Sequence, residues 1–148
     1  RSKRERFDLL WKLKKQINNW DLVDVFIPSF LGPCLDLGWI TRSDLQKLAK
    51  SEVLWDRRIA MLTTFHGIRK KDFRLAIEIA TILRNDSHDL MHKAVGWMLR
   101  EIGKRELSVL VQFLNQYGPT LPRTMLRYAI EKFPERERQK YLQAKKRD

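Results

Sequence analysis

The chain has 148 residues, 43% of them hydrophobic, and 30 Lys and Arg against 18 Asp and Glu give a formal net charge of +12. This length supports one well-buried core, and no linker rich in Pro, Gly or Ser divides it, so we expect a single domain over residues 1–148. The lone cysteine excludes an internal disulfide and favours an intracellular, cytoplasmic location, while the lack of an apolar run of ~20 residues argues against a membrane span.

The sequence pattern is helical throughout. It contains no run of alternating β-branched residues bounded by hairpin turns, which predicts an all-α fold. A basic helix is predicted over residues 3–17 and a second helix over residues 18–31, with a kink at Pro28 because proline lacks a backbone amide. Residues 32–38, which include two glycines and a proline, are predicted to interrupt the helical pattern.

Further helices are predicted from their end signals. Ser43 and Gln46 have the spacing of a capping box, which predicts a helix that ends near Lys50. Ser51 is placed to cap the next helix, which is predicted to run to residue 66 before a glycine. The remaining helices are predicted over residues 72–83, 88–102, 106–117, 123–133 and 135–145.

Helices of similar length joined by short polar turns are typical of antiparallel helix pairs stacked side by side. Their lengths recur without a clear repeated sequence, which is the weak repetition of HEAT-like proteins. We therefore predict a HEAT-like helical-repeat solenoid. A compact helix bundle is the alternative, and periodicity alone does not separate the two.

Arg58 interrupts an apolar helix face. It lies beside a stripe that includes Leu54 and Met61, so its guanidinium is expected to be partly buried. A buried cation needs an anion, either an Asp from a neighbouring helix or a phosphate of a ligand. Arg58 is therefore either a structural ion-pair strut or part of a functional site.

Trp97 lies on a helix whose buried stripe is predicted to include Met91 and Met98. This stripe leaves Trp97 on another face, partly exposed and close to Lys93 and Arg100. A tryptophan is more often a core residue than a binding platform. The neighbouring cations favour the second interpretation, with a ligand that carries anionic phosphates.

Trp20 and Asp24 are four residues apart, so they share one face of the predicted second helix. An aromatic ring and a carboxylate in this arrangement can hold a cation, although Trp20 could instead pack at the helix start. Pro28 lacks the amide that would bond the Asp24 carbonyl, which loosens the helix at this carboxylate. The positive charge of the chain suits a polyanion such as nucleic acid, although a basic surface could equally meet RNA, an acidic protein or anionic lipid. A carboxylate within a DNA-binding surface would require a specific role.

Other types of site are not expected. His88 and His92 have the spacing of two metal ligands, but no third ligand is evident, so no metal is predicted. Cys34 has no convincing partners for a nucleophile, and no glycine-rich phosphate loop is present. We therefore expect no cofactor.

Four segments, taken in order, resemble a known family. They are residues 19–24 (NWDLVD), 30–32 (FLG), 55–60 (WDRRIA) and, most strongly, 92–101 (HKAVGWMLRE). They resemble the DNA alkylation repair proteins built of HEAT-like repeats, the AlkD-type alkylpurine DNA glycosylases, over most of the chain. Members of that family have additional N-terminal helices, so we expect this chain to be the C-terminal portion of a longer family member.

The resemblance implies a hydrolase that cleaves the N-glycosidic bond of purines alkylated at N3 or N7 in duplex DNA. It implies that Asp24 is the catalytic carboxylate and that Arg58 is its partner in the cleft. It also implies that Trp20 and Trp97 are aromatic walls around the sugar of the lesion. An alkylated purine already carries positive charge, so the oxocarbenium-like sugar is the part that needs stabilising.

A set of surface cations is expected to bind the DNA backbone without reading its sequence. This set comprises Arg69, Lys70, Lys71, Lys93 and Arg100. The expected partner is double-stranded DNA with alkylated purines, bound by a monomer without a cofactor or a membrane. The alternatives are a noncatalytic HEAT-like protein that binds DNA and a protein-interaction solenoid with an acidic partner.

Overall fold

The structure is a computed structural model of the chain, and it describes residues 2–5, 8, 24 and 27–144. Most of the helix predicted over residues 3–17, and the start of the second predicted helix with Trp20, lie outside the described residues. The described residues are helical with connecting turns and contain no strand, which confirms the all-α prediction. The helices are α1 (Ile27–Asp36), α2 (Arg42–Ala49), α3 (Leu54–Thr63), α4 (Phe65–Arg69), α5 (Arg74–Leu83), α6 (Asp89–Arg105), α7 (Leu107–Tyr117), a 3₁₀ turn (Gly118–Thr120), α8 (Arg123–Ala129) and α9 (Glu135–Gln143).

The long helix α6 lies at the centre of the packing. It contacts α3, α4, α5, α7 and α8, so its inward face is covered along the whole length. The predicted buried stripe is confirmed, because its residues are all almost fully inaccessible to solvent; it consists of Met91, Ala94, Val95, Met98 and Ile102. Gly96 allows α8 to approach closely, since a Cβ atom there would lie 2.5 Å from the Cβ of Tyr128.

Most helices pack against a neighbour in the chain and against helices two or three places further on, such as α1 on α3 and α4, and α6 on α8. This pattern is consistent with a helical-repeat solenoid. The hydrophobic core runs through the same contacts and receives buried residues from α1 to α8. Within the described residues, none of the helices combines the length and the apolar character that crossing a bilayer requires.

The break predicted to begin at residue 32 is wrong, because α1 continues through Gly32 and Pro33 to Asp36. Packing outweighs the local propensities here. Leu31 is buried against the core, and a Cβ atom on Gly32 would lie only 2.4 Å from the Cβ of His66, so the glycine permits close contact with α4. The helix ends at Asp36, and Gly38 follows with a φ of +73°. The predicted interruption therefore occurs at its last residue and not at its first.

The capping box predicted for α2 is displaced by two residues. The Thr41 hydroxyl accepts a hydrogen bond from the Asp44 amide (3.1 Å), and the Asp44 carboxylate accepts one from the Thr41 amide (2.9 Å). The Gln46 side chain instead donates to Glu78 on α5. Leu45, in the first turn of α2, is fully buried.

The helix predicted from Ser51 to residue 66 is divided in the structure. It begins at Leu54, and a junction at Thr64 separates α3 from α4. The Thr63 and Thr64 hydroxyls donate to carbonyls of the preceding turn, a contact that competes with the regular helix pattern. The Ser51 hydroxyl accepts from the Val53 amide, so it supports the approach to α3 without being its N-cap.

The later helices occur as predicted, with shifted ends. The α6 helix is capped by His88 and extends to Arg105. The α8 helix stops at Ala129, four residues before the predicted end, and Pro134 then starts α9. A proline disfavours helical geometry in the residue before it, which accounts for the turn between α8 and α9.

Candidate active site

Arg58 and Asp24 form a bidentate ion pair. The Nε atom of Arg58 donates to Oδ1 of Asp24 and the Nη2 atom donates to Oδ2, each at 2.9 Å. Two parallel charge-assisted hydrogen bonds fix the carboxylate in one plane and one orientation. The structure therefore supplies an Asp as the anion for Arg58, one of the two partners that the sequence allowed.

Arg58 also connects this pair to the start of α6. Its Nη1 atom donates to the backbone carbonyl of Leu90 at 2.6 Å. The Arg58 side chain is only 8% exposed, as predicted from its position beside an apolar face, whereas the Asp24 side chain is 31% exposed. The arginine is thus held inside the protein while the carboxylate reaches its surface.

The preceding residue, Arg57, forms a second ion pair that the sequence did not reveal. Its Nε atom donates to Oδ2 of Asp86 at 2.7 Å, and its Nη1 atom donates to the carbonyls of Ser51 and Glu52. The other carboxylate oxygen of Asp86 accepts from the His88 amide at 2.9 Å. Asp86 therefore braces the turn before α6, four residues before the Leu90 carbonyl that accepts from Arg58.

The histidines that have metal-ligand spacing are engaged in this same turn. The Nδ1 atom of His88 accepts from the Leu90 amide at 3.1 Å, and Nε2 of His92 contacts the carbonyl of Asp86. No group of three or more His, Cys, Asp or Glu side chains is placed to hold a metal ion in the described part of the chain. His88 is therefore the N-cap of α6, and His92 ties the first turn of the helix to the turn before it.

Cys34 is buried and donates its thiol to the carbonyl of Phe30. Burial raises the pKa of the thiol, an effect that Arg4 partly opposes. A thiol with a raised pKa has less of the thiolate that nucleophilic chemistry needs.

Trp97 is half-buried on α6 and packs on the core. It lies seven residues after Leu90, so both residues are on one side of the helix, about 10 Å apart along its axis. Lys93 lies between them on nearly the same side. The Trp97 ring meets the ring of Phe65 edge-on, with centroids 5.9 Å apart.

Three of the five predicted backbone-binding cations are paired with acidic side chains. Lys93 lies 3.4 Å from a carboxylate oxygen of Asp89, and Arg100 pairs with Glu131. Lys70 donates to Oδ2 of Asp36 at 2.6 Å. These pairs reduce the positive charge that the three cations present to a ligand.

The other two predicted cations differ from these. Arg69 is exposed, and its guanidinium lies 5.1 Å from the centroid of the Phe65 ring. Lys71 is also exposed, and its backbone has a φ of 63° at the end of α4. Neither side chain forms an ion pair within the described residues, so both are available to an external anion.

The structure brings Asp24 and Arg58 into direct contact and places Trp97 on the helix whose first turn Arg58 contacts. Trp20 lies outside the described residues. Asp86 and Phe65 support the two ends of this arrangement, and neither was predicted from the sequence as part of the site. The turn signal around Asp86, with Asn before it and Ser after it, could have indicated a helix-start brace, whereas Phe65 resembled an ordinary core residue.

Comparison with known proteins identifies one family. The family model described as DNA alkylation repair enzyme matches residues 1–133. This match covers all four segments that carry the resemblance and all the candidate site residues. No curated protein and no solved structure matched the chain.

Proposed function

The chain belongs to the DNA alkylation repair enzyme family, and we propose that it is a glycosylase for cationic N3- or N7-alkylated purines in duplex DNA. In this reaction the C1′–N bond breaks and its electron pair neutralises the positive charge of the purine. Water adds to C1′ of the oxocarbenium-like sugar and loses a proton. The products are a free alkylpurine and an abasic site.

The observation that carries this proposal is the Arg58–Asp24 pair. Arg58 holds the carboxylate with two 2.9 Å hydrogen bonds from the protein side, and the 31% exposed Asp24 side chain can face a ligand. A carboxylate that is fixed before the reaction stabilises a developing positive charge without reorganisation. Asp24 would oppose the charge on the sugar and orient the water.

The aromatic residues would complete the surroundings of the sugar. Trp97, half-buried and supported by Phe65, offers a ring whose negative face attracts a cation by about 0.5 to 2 kcal/mol. Trp20 has the same proposed role. Arg69, Lys70, Lys71, Lys93 and Arg100 would bind phosphates, and of these Arg69 and Lys71 are the two without an ion pair among the described residues.

A noncatalytic DNA-binding protein with the same fold is the second candidate, with an interaction solenoid for an acidic protein as its variant. It is favoured by the fact that both oxygens of Asp24 already accept from Arg58, as in a structural strut. Each carboxylate oxygen has a further lone pair, so the Arg58 contacts leave Asp24 able to act. The glycosylase and the noncatalytic DNA-binding protein therefore differ in excision and agree in DNA binding, whereas a solenoid for an acidic protein requires neither.

The deciding experiment measures release of 7-methylguanine and 3-methyladenine from methylated duplex DNA. We expect release by the wild-type chain and background release by Asp24→Asn, because an amide cannot oppose the sugar charge. Equal release by the two proteins would exclude the catalytic assignment. DNA binding without release by the wild type would favour the noncatalytic candidate.

We also infer that the 148 residues form one HEAT-like domain that acts as a monomer inside the cell, where it has access to DNA. The inward packing of α1 to α8 on a common core supports a single domain. Analytical ultracentrifugation with and without duplex DNA tests the monomer, and a dimer under either condition would contradict it.

A further inference from the structure

The side chain of Phe65 joins two helices next to Trp97. It begins α4, is half-buried against the core, and meets Trp97 on α6 with the two ring planes at 66°. This edge-to-face arrangement is a favourable one for two aromatic rings. Phe65 therefore has a fixed position beside one of the proposed walls of the active site.

Two arginines lie over the Phe65 ring. The guanidinium carbon of Arg69 is 5.1 Å from the ring centroid, and that of Arg105, at the end of α6, is 5.6 Å from it. Each contact is within the range of a cation–π interaction, so the ring holds both long side chains in place. Two cations at one ring also repel each other, so an anion bound there would be stabilised by both.

Both guanidinium groups have hydrogen-bond donors to spare. Arg69 is exposed and has no hydrogen-bond or ion-pair partner among the described residues. Arg105 is 26% exposed and uses Nη1 alone, for the carbonyl and the carboxylate of Glu101. Its Nε and Nη2 atoms have no acceptor in the described part of the chain, so each arginine can still donate to a ligand.

The local charge is positive. Glu101 is the carboxylate that pairs here, 3.0 Å from Arg105 and 3.4 Å from Lys104, while Glu106, the residue after Arg105, accepts a hydrogen bond from the Ser108 hydroxyl. Burial raises the pKa of Glu101, but the hydrogen bond from Arg105 and the charge of Lys104 outweigh burial, and the pKa lies below its ordinary value. Glu101 orients Arg105, and the three cations Arg69, Lys104 and Arg105 still outnumber the two carboxylates Glu101 and Glu106.

We propose that Arg69 and Arg105, held on the ring of Phe65, form a binding site for phosphates of the DNA backbone beside Trp97. A planar guanidinium with free donors matches the oxygens of a phosphodiester. The site would place the backbone next to the proposed aromatic wall. It rests on the proposed function, since the phosphates belong to the duplex that carries the lesion.

The test measures binding of a fluorescent, unmodified duplex by anisotropy between roughly 50 and 200 mM salt. We expect Arg69→Gln and Arg105→Gln each to weaken binding about tenfold and to reduce the salt slope by about one. Arg136→Gln is the matched control, because Arg136 is an exposed arginine on α9 without an ion pair among the described residues. Wild-type affinity and slope in both arginine variants, or an equal loss in the control, would overturn the proposal.

The role of the ring is tested with Phe65→Leu, which keeps an apolar side chain. In the wild-type background it should weaken binding about threefold, because the arginines lose their platform. In the Arg69→Gln/Arg105→Gln background it should have no further effect. An equal loss in both backgrounds would show that Phe65 acts independently of the arginines, and circular dichroism melting verifies that each variant is folded.

Measuring excision in parallel separates this site from the proposed function. If the arginine variants bind DNA weakly and the wild type releases no alkylpurine, the phosphate site is supported and the glycosylase assignment fails. If the wild type excises and the arginine variants bind with wild-type affinity, the glycosylase assignment is supported and the phosphate site is wrong.

Discussion

Two neighbouring arginines of α3, Arg57 and Arg58, each form an ion pair with an aspartate, but the buried partner differs between the two pairs. In the Arg57–Asp86 pair the carboxylate is the buried partner, with side-chain exposures of 16% for the arginine and 6% for the aspartate. In the Arg58–Asp24 pair the arginine is buried at 8% and the carboxylate is exposed at 31%. The two pairs therefore differ in which partner is the more exposed: the arginine in the Arg57–Asp86 pair and the carboxylate in the Arg58–Asp24 pair.

This difference separates a brace from a candidate catalytic group. Asp86 uses its oxygens for Arg57 and for the His88 amide, and it is almost completely enclosed, so it stabilises the turn before α6. Asp24 receives its hydrogen bonds from the protein interior and can still be reached from outside. Exposure of the carboxylate, rather than the presence of an ion pair, is the difference on which the proposed role of Asp24 rests.

The largest expected effect is on catalysis by Asp24. Asp24→Asn should lower the single-turnover rate of 7-methylguanine release about a thousandfold, or ~4 kcal/mol, while duplex binding stays within about twofold. Asp86→Asn is the matched control, since it makes the same chemical change in the enclosed pair. A comparable rate loss per folded molecule in both variants would remove the distinction between the two carboxylates.

The next largest effect is on stability, and here Asp86→Asn is expected to have a larger effect than Asp24→Asn. Asp86→Asn should lower the free energy of unfolding by about 3 kcal/mol, because it leaves a largely buried guanidinium without its anion. Asp24→Asn should cost less, about 1 kcal/mol, since water can reach that site. Urea denaturation measures both values, and equal costs would show that exposure does not distinguish the pairs.

A smaller effect is expected from exchanging each arginine for lysine. Arg58→Lys keeps the charge but cannot donate two parallel hydrogen bonds to Asp24 and a third to Leu90, so excision should slow about tenfold. Arg57→Lys should lower stability while the rate per folded enzyme stays unchanged. A pH–rate profile accompanies both measurements, and a larger rate loss in Arg57→Lys would contradict the assignment.

The smallest effect concerns a third carboxylate, that of the exposed residue Asp36. Hydrogen bonds from His66 and Lys70 lower the pKa of Asp36 from 3.8 to about 2. Because the folded protein holds this carboxylate ionised, the resulting stability is complete above about pH 4 and is lost as the pH falls towards 2. Asp36→Asn should therefore reduce the change in urea midpoint between those pH values, and Lys70→Gln should reduce it less. An unchanged pH dependence in Asp36→Asn would contradict this interpretation.

Much of the fold was predictable because its signals are local. The stripe from Met91 to Ile102 has helical spacing, and the structure buries it as expected. The errors lie where tertiary contacts overrule local propensity: Gly32 and Pro33 remain helical because α1 packs tightly on α4. The capping box of α2 also differs from the prediction, because Thr41 and Asp44 bond each other's amides while Gln46 bonds Glu78 on α5.

The candidate site was predictable in part. Arg58 was expected to be buried and to need an anion, because a charge beside an apolar stripe must be compensated. The role assigned to Asp24 came from the family resemblance, and the family match over residues 1–133 agrees with it at the level of DNA alkylation repair. The catalytic roles of Asp24 and Trp97 remain predictions.

The sequence by itself determined the helical class, the buried stripes and the need for a partner at Arg58, because each depends on residues a few positions apart. The tertiary structure decided which carboxylate meets which arginine, and which partner of each pair faces the solvent. It also decided that Arg69 and Arg105, 36 residues apart, share one phenylalanine ring. Such contacts depend on how the helices pack, and helical periodicity fixes the direction of a side chain from its own helix but not what it meets there.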